Sequence, residues 1–267
     1  MIRVDGTELV QKHFPDGTLL LNGCPSTKIS VFLDHTVEWF FERNEEMITL
    51  MYITKHLWEH GADTISLVMP YIPNARQDRV KSINDVFTLK YFAEFINSLG
   101  FTKVTVLDPH SYVSEALINN LVVLSPKDFV DRAINLVSPN LLFFPDEGSM
   151  KRYSGMFCIP YAFGIKKRDW ETGDILGLDV SGDVDRIKNS TILIVDDICS
   201  RGGTFFHSAK KLKELGAGKI YLFVTHCENT IFQGELLNSG LIETVFTTNS
   251  IYTSNHKKVK VIRNEKH

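Results

Sequence analysis

Thr191-Ile-Leu-Ile-Val-Asp-Asp-Ile-Cys-Ser-Arg-Gly-Gly-Thr204 is the stretch that decides the fold of this chain. Residues 192–195 are an unbroken apolar run with three β-branched side chains, typical of a strand buried on both faces of a parallel sheet. Asp196 and Asp197 follow it. Because neighbouring side chains of a strand point to opposite faces, we expect the chain to turn there if both acids bind one ligand.

A polar loop comes next, and a helix is predicted from about residue 205 to residue 215. The glycines of the loop allow the backbone to approach a ligand closely, and the first turn of the helix offers free amides to an anion. Carboxylates suit ribose hydroxyls, so the whole stretch predicts a site for a phosphorylated sugar. An ordinary βα turn also favours glycine, but paired acids beside such a loop have no packing role. The loop residues of the predicted site are Ser200, Arg201, Gly202, Gly203 and Thr204.

The composition limits the classes of function. The chain has 267 residues, which suits two α/β domains, and a net charge of −3, which provides no global field for nucleic acid or an anionic membrane. Its four cysteines are far apart, so neither a zinc site nor a disulfide framework is indicated. With no apolar leader or bilayer-spanning stretch in the sequence, we expect a soluble cytoplasmic protein.

Strands and helices alternate along the chain, which predicts mainly parallel, doubly wound sheets flanked by helices. A linker at residues 138–140 divides the chain into predicted domains 1–138 and 139–267. The span 166–190, rich in Gly, Asp and Lys, is expected to be a mobile excursion. The predicted strands are 19–22, 28–33, 64–69, 103–107, 121–124, 141–144, 156–162, 219–225 and 243–247, and the other predicted helices are 36–60, 85–99 and 127–136.

A second polar segment, Pro70-Tyr-Ile-Pro-Asn-Ala-Arg-Gln-Asp-Arg79, follows the apolar run that ends at Met69. Arginine binds phosphate bidentately and stacks on flat rings, and glutamine can bind a purine edge. Arg76 and Gln77 are therefore candidate nucleotide ligands.

The central stretch resembles the phosphoribosyl pyrophosphate signature shared by type I phosphoribosyltransferases and ribose-phosphate pyrophosphokinases, and by itself it does not separate the two. The segment ending at Arg79 resembles the ATP-binding Tyr-x-Pro-Tyr-x-Arg-Gln-Asp-Arg stretch of the pyrophosphokinases, which the transferases lack. Further segments follow the pyrophosphokinase order: Phe14-Pro-Asp-Gly-Thr18, Val106-Leu-Asp-Pro-His110, Pro145-Asp-Glu-Gly148 and Lys166-Lys-Arg168.

The resemblance implies two domains of the phosphoribosyltransferase fold, the first binding ATP and the second binding ribose 5-phosphate. It implies Mg²⁺-dependent transfer of the β,γ-diphosphoryl group of ATP to the C1 hydroxyl of the sugar, in a homo-oligomer built from dimers. The implied ATP ligands are Phe14, from a neighbouring subunit, with Asp16, Arg76, Gln77, Asp78 and His110. The implied sugar ligands are Asp196, Asp197 and the loop from Ser200 to Thr204. The resemblance also places His110 and Asp146 at the metal, and Lys166, Arg168 and His110 in catalysis.

The chain departs from the family pattern at several places. Ser200-Arg201 stands where Asp-Thr is usual, and Thr18 stands where the hairpin has an acid. Asp146 also suits a helix cap, which is a purely structural role. Two alternative functions remain open from the sequence: a type I phosphoribosyltransferase, and a catalytically silent homologue that regulates an active synthetase.

Overall fold

The computed structural model describes residues 1–21, 34–168 and 175–263, with the side chains of 166–168 and 175–177 excepted. The chain forms two compact units, Met1–Ser125 and Pro126–His267. This division, after Ser125, comes earlier in the chain than the boundary predicted after residue 138. The reason is helix α4 (Lys127–Val137), which buries Val130 and Ala133 against strands of the second unit.

The first unit is built on a mainly parallel six-stranded sheet. The strands of this unit are β1 (Ile2–Val4), β2 (Thr7–Glu8), β3 (Gln11–His13), β4 (Leu19–Leu21), β5 (Asp34–Trp39), β6 (Thr64–Val68), β7 (Lys103–Leu107) and β8 (Leu121–Leu124). The sheet order is β2-β1-β5-β6-β7-β8, with β1 antiparallel to both neighbours and the strands from β5 to β8 parallel. β3 and β4 form a separate antiparallel hairpin.

Helices α1 (Glu46–Glu59), α2 (Thr88–Ser98) and α3 (Tyr112–Leu117) complete the first unit. The prediction of one helix over residues 36–60 is wrong, because β5 occupies its first part. His35, Val37 and Trp39 are buried while the side chains between them are more exposed, which is the two-residue period of a strand. The predicted strand at 28–33 lies outside the described residues.

The second unit contains a seven-stranded sheet. Its strands are β9 (Leu141–Phe144), β10 (Tyr161–Arg168), β11 (Ile175–Gly182), β12 (Ile192–Cys199), β13 (Ile220–Cys227), β14 (Val245–Thr247) and β15 (Val259–Val261). They lie in the order β11-β10-β9-β12-β13-β14-β15, and β11 is the antiparallel strand of the sheet. Helices α5 (Glu147–Tyr153) and α6 (Gly203–Glu214) accompany α4.

Strand β12 lies in the middle of this sheet and has apolar partners on both faces. Ile192 and Ile194 belong to the core cluster that contains Phe205 of α6, whereas Leu193 and Val195 belong to the cluster that contains Val130 of α4. The predicted fold class, mainly parallel sheets flanked by helices, is therefore confirmed. No helix of the described ranges is both long enough and apolar enough to cross a membrane.

Two local predictions in the second unit differ from the secondary structure that is observed. The strand predicted at 156–162 begins only at Tyr161, because residues Ser154–Met156 form a 3₁₀ turn. The span predicted as a mobile excursion contains the antiparallel β10–β11 hairpin, whose register runs from Ala162 opposite Gly182 to Arg168 opposite Ile175. Backbone pairing between the two arms supplies regular structure that composition did not indicate. Residues 169–174 lie outside the described residues.

Candidate active site

Asp196 and Asp197 are both strand residues, which corrects the expectation that the chain turns after Val195. β12 continues to Cys199 because β13 continues to pair with it, with Asp196 opposite Val224 and Cys199 opposite Cys227. Consecutive strand residues point to opposite faces, so the two carboxylates do not share one face of the sheet.

Asp197 is held by a cation that the sequence analysis missed. Only 7% of Asp197 is exposed. One of its oxygens accepts a hydrogen bond from the Arg152 guanidinium of α5 at 3.1 Å, and the other accepts from the Ile198 amide at 2.8 Å. A buried carboxylate requires such partners. Only this general requirement could have indicated from the sequence that Asp197 has a cationic partner such as Arg152. The pair fixes Asp197 at the carboxyl end of the central strand.

The loop between β12 and α6 has the geometry of an anion site. Gly202 has a φ of 80°, in the left-handed region that glycine adopts without strain, and its carbonyl accepts from the Phe206 amide at 2.9 Å. Arg201, Gly203 and Thr204 are exposed at the start of α6, where the first-turn amides have no acceptor within the helix. The structure thus brings backbone donors, the helix dipole and an arginine together at one loop.

The Ser200 side chain is bound to a second residue that the sequence analysis missed. Its hydroxyl donates to the Glu228 carboxylate at 2.8 Å, and the Thr230 hydroxyl donates to the same oxygen at 2.9 Å. Glu228 directly follows β13, and the pairing of Cys199 with Cys227 places it beside Ser200. Because this proximity arises from strand pairing, sequence motifs did not reveal it.

Two buried thiols lie on the neighbouring strands that end at this loop. Cys199 and Cys227 are both fully buried and in register. Contact with the Cys227 thiol, together with burial, raises the pKa of Cys199, so Cys199 is a neutral thiol near physiological pH. Cys158, Cys199 and Cys227 are free thiols.

Four of the predicted ATP ligands surround one open cavity of about 660 Å³. Arg76, Gln77 and Asp78 lie in the loop after β6, and His110 follows the neighbouring parallel strand β7. Carboxyl ends of parallel strands meet at the same edge of a sheet, which explains why these distant segments come together. The residues that line the cavity are Arg76, Gln77, Asp78, Arg79, Lys81, Asn84, Asp85, Val86 and His110.

Asp78 is the buried acid of this cavity, with 7% of its surface exposed. It accepts two hydrogen bonds from Arg79, from Nε at 2.7 Å and from a terminal nitrogen at 2.8 Å. These bonds lower the pKa of Asp78 to about 2, although burial opposes them. A hydrogen bond to Ser111 and the nearby His110 also lower this pKa. Asp78 is therefore ionised at neutral pH and orients the Arg79 guanidinium.

Gln77 and the β3–β4 hairpin are also ordered by local hydrogen bonds. The Thr88 hydroxyl of α2 donates to the Gln77 side-chain carbonyl. In the hairpin, the Asp16 carboxylate accepts from the amide of Thr18 at 3.0 Å and from its hydroxyl at 2.7 Å, and the hydroxyl bond is the main reason that the pKa of Asp16 is lowered. Phe14 is 48% exposed. Phe14 and Asp16 are not among the described residues that line this cavity.

Asp146 occupies the N-cap of α5, where its carboxylate accepts from the Ser149 amide at 3.1 Å in a capping box. Lys166 and Arg168 lie in β10, opposite Leu178 and Ile175. Within the described ranges, no group of three or more His, Cys, Asp or Glu side chains could hold a metal ion.

Models of two protein families match the two parts of the chain. The N-terminal domain of ribose phosphate pyrophosphokinase matches residues 25–100, and the phosphoribosyl synthetase-associated domain matches residues 174–266. The chain belongs to the ribose-phosphate pyrophosphokinase family. The predicted resemblance is thereby confirmed.

Two members of this pyrophosphokinase family are similar to this chain over most of their length. The ribose-phosphate pyrophosphokinase of Thermococcus kodakarensis is 28% identical over 230 residues, which are 82% of this chain and 77% of the relative. The ribose-phosphate pyrophosphokinase of Sulfolobus acidocaldarius is 26% identical over 252 residues, which are 91% of this chain and 84% of the relative. The crystal structure of phosphoribosylpyrophosphate synthetase from Mycobacterium smegmatis superposes with a TM-score of 0.77 at 18% identity, covering 96% of this chain and 86% of that one, which shows a shared fold.

Proposed function

We propose that this chain is a ribose-phosphate diphosphokinase, which transfers the β,γ-diphosphoryl group of ATP to the C1 hydroxyl of ribose 5-phosphate and releases AMP. The observation that carries the proposal is the presence of two different phosphate-type sites. The first unit has an arginine-lined cavity, and the second has a glycine loop with carboxylates at the end of β12. A phosphoribosyltransferase would need only the second.

On the nucleotide side, Arg76 and Gln77 bind the purine and the phosphates, and Arg79 adds positive charge in an orientation set by Asp78. His110 faces the same cavity from the end of β7 and contacts the phosphates. A cavity of about 660 Å³ is within the range of small-molecule sites and has room for a nucleotide.

On the sugar side, the first amides of α6 and the Arg201 guanidinium bind the 5′-phosphate. Because the carboxylates of Asp196 and Asp197 point to opposite faces at the end of β12, one accepts directly from a ribose hydroxyl and the other through bridging water. Arg152 fixes the orientation of Asp197. The sugar is thereby anchored at both ends, which is the positioning that diphosphoryl transfer requires.

In the transfer step, the C1 hydroxyl oxygen of ribose 5-phosphate attacks the β-phosphorus of ATP in line, and the hydroxyl proton is released to solvent. The bond from the β-phosphorus to the oxygen that bridges it to the α-phosphate breaks, so AMP leaves with that oxygen. Lys166 and Arg168, on the β10 arm of the hairpin, neutralise charge on the transferring group. The protein's contribution is positioning and charge neutralisation, with no covalent intermediate.

The described side chains fit a Mg²⁺ ion that enters with the nucleotide. Mg²⁺ takes few protein ligands where substrate phosphates supply oxygens, and carboxylate oxygens are among the protein ligands that it prefers. His110 and Asp146 would help to hold it, Asp146 while it caps α5. The bound ion would neutralise the charge of the phosphate oxygens.

We further propose a cytoplasmic homo-oligomer built from dimers, with Phe14 contacting the nucleotide of a neighbouring subunit. Support comes from the exposure of 48% of Phe14 in a hairpin whose tip is held by the bonds between Asp16 and Thr18. An exposed aromatic ring on an ordered hairpin can dock on a second copy of the chain without a large loss of conformational entropy.

The deciding experiment supplies purified protein with ATP, Mg²⁺ and ribose 5-phosphate and measures AMP and 5-phosphoribosyl 1-diphosphate. We expect the two products in a one-to-one ratio. Turnover only with a nucleobase and preformed 5-phosphoribosyl 1-diphosphate would instead establish a phosphoribosyltransferase. Lack of turnover, together with a change in the activity of an added active synthetase, would establish the silent regulatory homologue.

A further inference from the structure

The loop that carries the anion site rests on one segment of the second unit, residues 228–236, here called the support segment. Ser200 bonds to Glu228, as described above. The next two loop residues touch the far end of the segment: a Cβ placed on Gly234 would lie 1.8 Å from the Arg201 carbonyl oxygen, and one on Gly202 would lie 2.9 Å from the Leu236 side chain. Consecutive loop residues therefore take their positions from this segment.

Glu228 makes the polar connection between the loop and the support segment. Its Oε2 atom accepts from the hydroxyls of both Ser200 and Thr230, and these two hydroxyl oxygens lie 3.2 Å apart. The Glu228 amide donates to the Cys199 carbonyl at 2.8 Å, which continues the pairing of β12 and β13 up to the loop. An ionised carboxylate oxygen accepts two such bonds readily, and bonds to a charged acceptor are stronger than neutral ones.

The direction of the Ser200 bond has a chemical consequence. A hydroxyl has one proton, and Ser200 donates that proton to Glu228. The Ser200 hydroxyl is therefore not a donor to a phosphate in this arrangement. The donors that remain at the loop are backbone amides and the Arg201 guanidinium, whose positions depend on how the loop is held.

We propose that Glu228 is a positioning residue for ribose 5-phosphate: through Ser200 it holds the loop so that backbone amides, and not the Ser200 hydroxyl, face the 5′-phosphate. This inference rests on the proposed function. It assigns a sugar-site role to a residue that directly follows β13, the next strand after the phosphate loop.

The test measures binding of ribose 5-phosphate and of ATP by calorimetry for the full chain. We expect Glu228→Leu to weaken ribose 5-phosphate binding by about tenfold, the equivalent of one hydrogen bond to a charged group, with ATP binding unchanged. Glu228→Gln retains a carbonyl oxygen as acceptor, so its affinity should stay within about threefold of the original protein. Ser200→Ala should resemble Glu228→Leu, and the double variant should be no weaker than either single one, because both changes remove the same bond.

Glu243→Leu is the matched control. Glu243 is an exposed acid just before β14, at the opposite end of the parallel strands from the loop, and its replacement should leave both affinities unchanged. If the unaltered protein binds ribose 5-phosphate and both Glu228→Leu and Ser200→Ala bind it equally well, this inference is wrong while the proposed function stands. If the unaltered protein does not bind the sugar phosphate, both are wrong. Should Glu228→Leu fail to fold, Ser200→Ala decides: wild-type affinity in that variant overturns the inference.

Discussion

The Arg152 guanidinium on α5 donates to the Asp197 carboxylate on β12 across 3.1 Å, so an acid of the candidate sugar site is held from a helix 45 residues earlier in the chain. The side chains of Arg152 and Asp197 are only 20% and 9% exposed. Partial exclusion of water strengthens such a pair and makes the loss of one partner costly, because the other is left buried without its counter-charge.

Arg152→Ala should therefore lower the free energy of unfolding by about 1–3 kcal/mol, as measured by urea denaturation. Lys151→Ala is the matched control, because Lys151 forms an exposed ion pair with Glu147 at 3.5 Å within the same helix. Its loss should change the free energy of unfolding by less than about 0.5 kcal/mol. Equal effects of the two substitutions would contradict a structural role for the Arg152–Asp197 pair.

Gly234→Ala should distort the sugar-phosphate loop, since the added Cβ would lie 1.8 Å from the Arg201 carbonyl oxygen, which must then move. Overpacking of this kind costs about 1–3 kcal/mol of stability, and we expect a loss of ribose 5-phosphate affinity with it. Gly155→Ala makes the same change where nothing lies within 4 Å, and it should leave both quantities unaltered. Thermal unfolding and calorimetric titration of the two variants check this prediction.

Asp78→Asn should reveal a pH-dependent part of the stability. The pKa of Asp78 is about 2 in the folded protein against an ordinary value of 3.8, so the unfolded chain takes up a proton first as the pH falls. The stabilisation by Asp78 is fully present above about pH 5 and is lost as the pH falls from about 4 towards 2. Because the Arg79 side chain is 69% exposed, we expect Asp78 to contribute no more than about 2 kcal/mol to the free energy of unfolding at neutral pH.

The free energy of unfolding of the original protein and of Asp78→Asn, measured from pH 7 down to about pH 3, checks that expectation. The difference between them should be constant down to about pH 5 and should narrow below about pH 4. Asp63→Asn, the same change at an exposed position of the first unit, should differ little from the original protein throughout. A difference that widens as the pH falls would show that the sign is wrong.

Lys166→Ala should lower kcat by at least about a hundredfold while leaving ribose 5-phosphate binding almost intact, because we propose that its charge acts on the transferring group. Steady-state rates combined with calorimetry separate the two effects. The same substitution at the adjacent Lys167 is the control and should change kcat by less than about threefold. An unchanged kcat for Lys166→Ala would remove this residue from catalysis.

The sequence by itself determined the features that depend on short segments. Three features could be identified from the sequence: the buried strand that begins at Ile192, the glycine loop before α6 and the arginine segment after β6. Apolar runs, glycines and charged residues indicate local conformation and chemistry directly. The alternation of strands and helices then predicted mainly parallel sheets.

The tertiary structure decided which distant residues meet. Neither Arg152 opposite Asp197 nor Glu228 beneath Ser200 could be inferred from motifs, because their proximity depends on the packing of α5 and on the register of β12 with β13. Strand pairing also kept Asp196 and Asp197 in one extended strand, where a shared ligand was expected to require a turn. Register and packing are set by many weak contacts across the chain, whereas a motif records only its own residues.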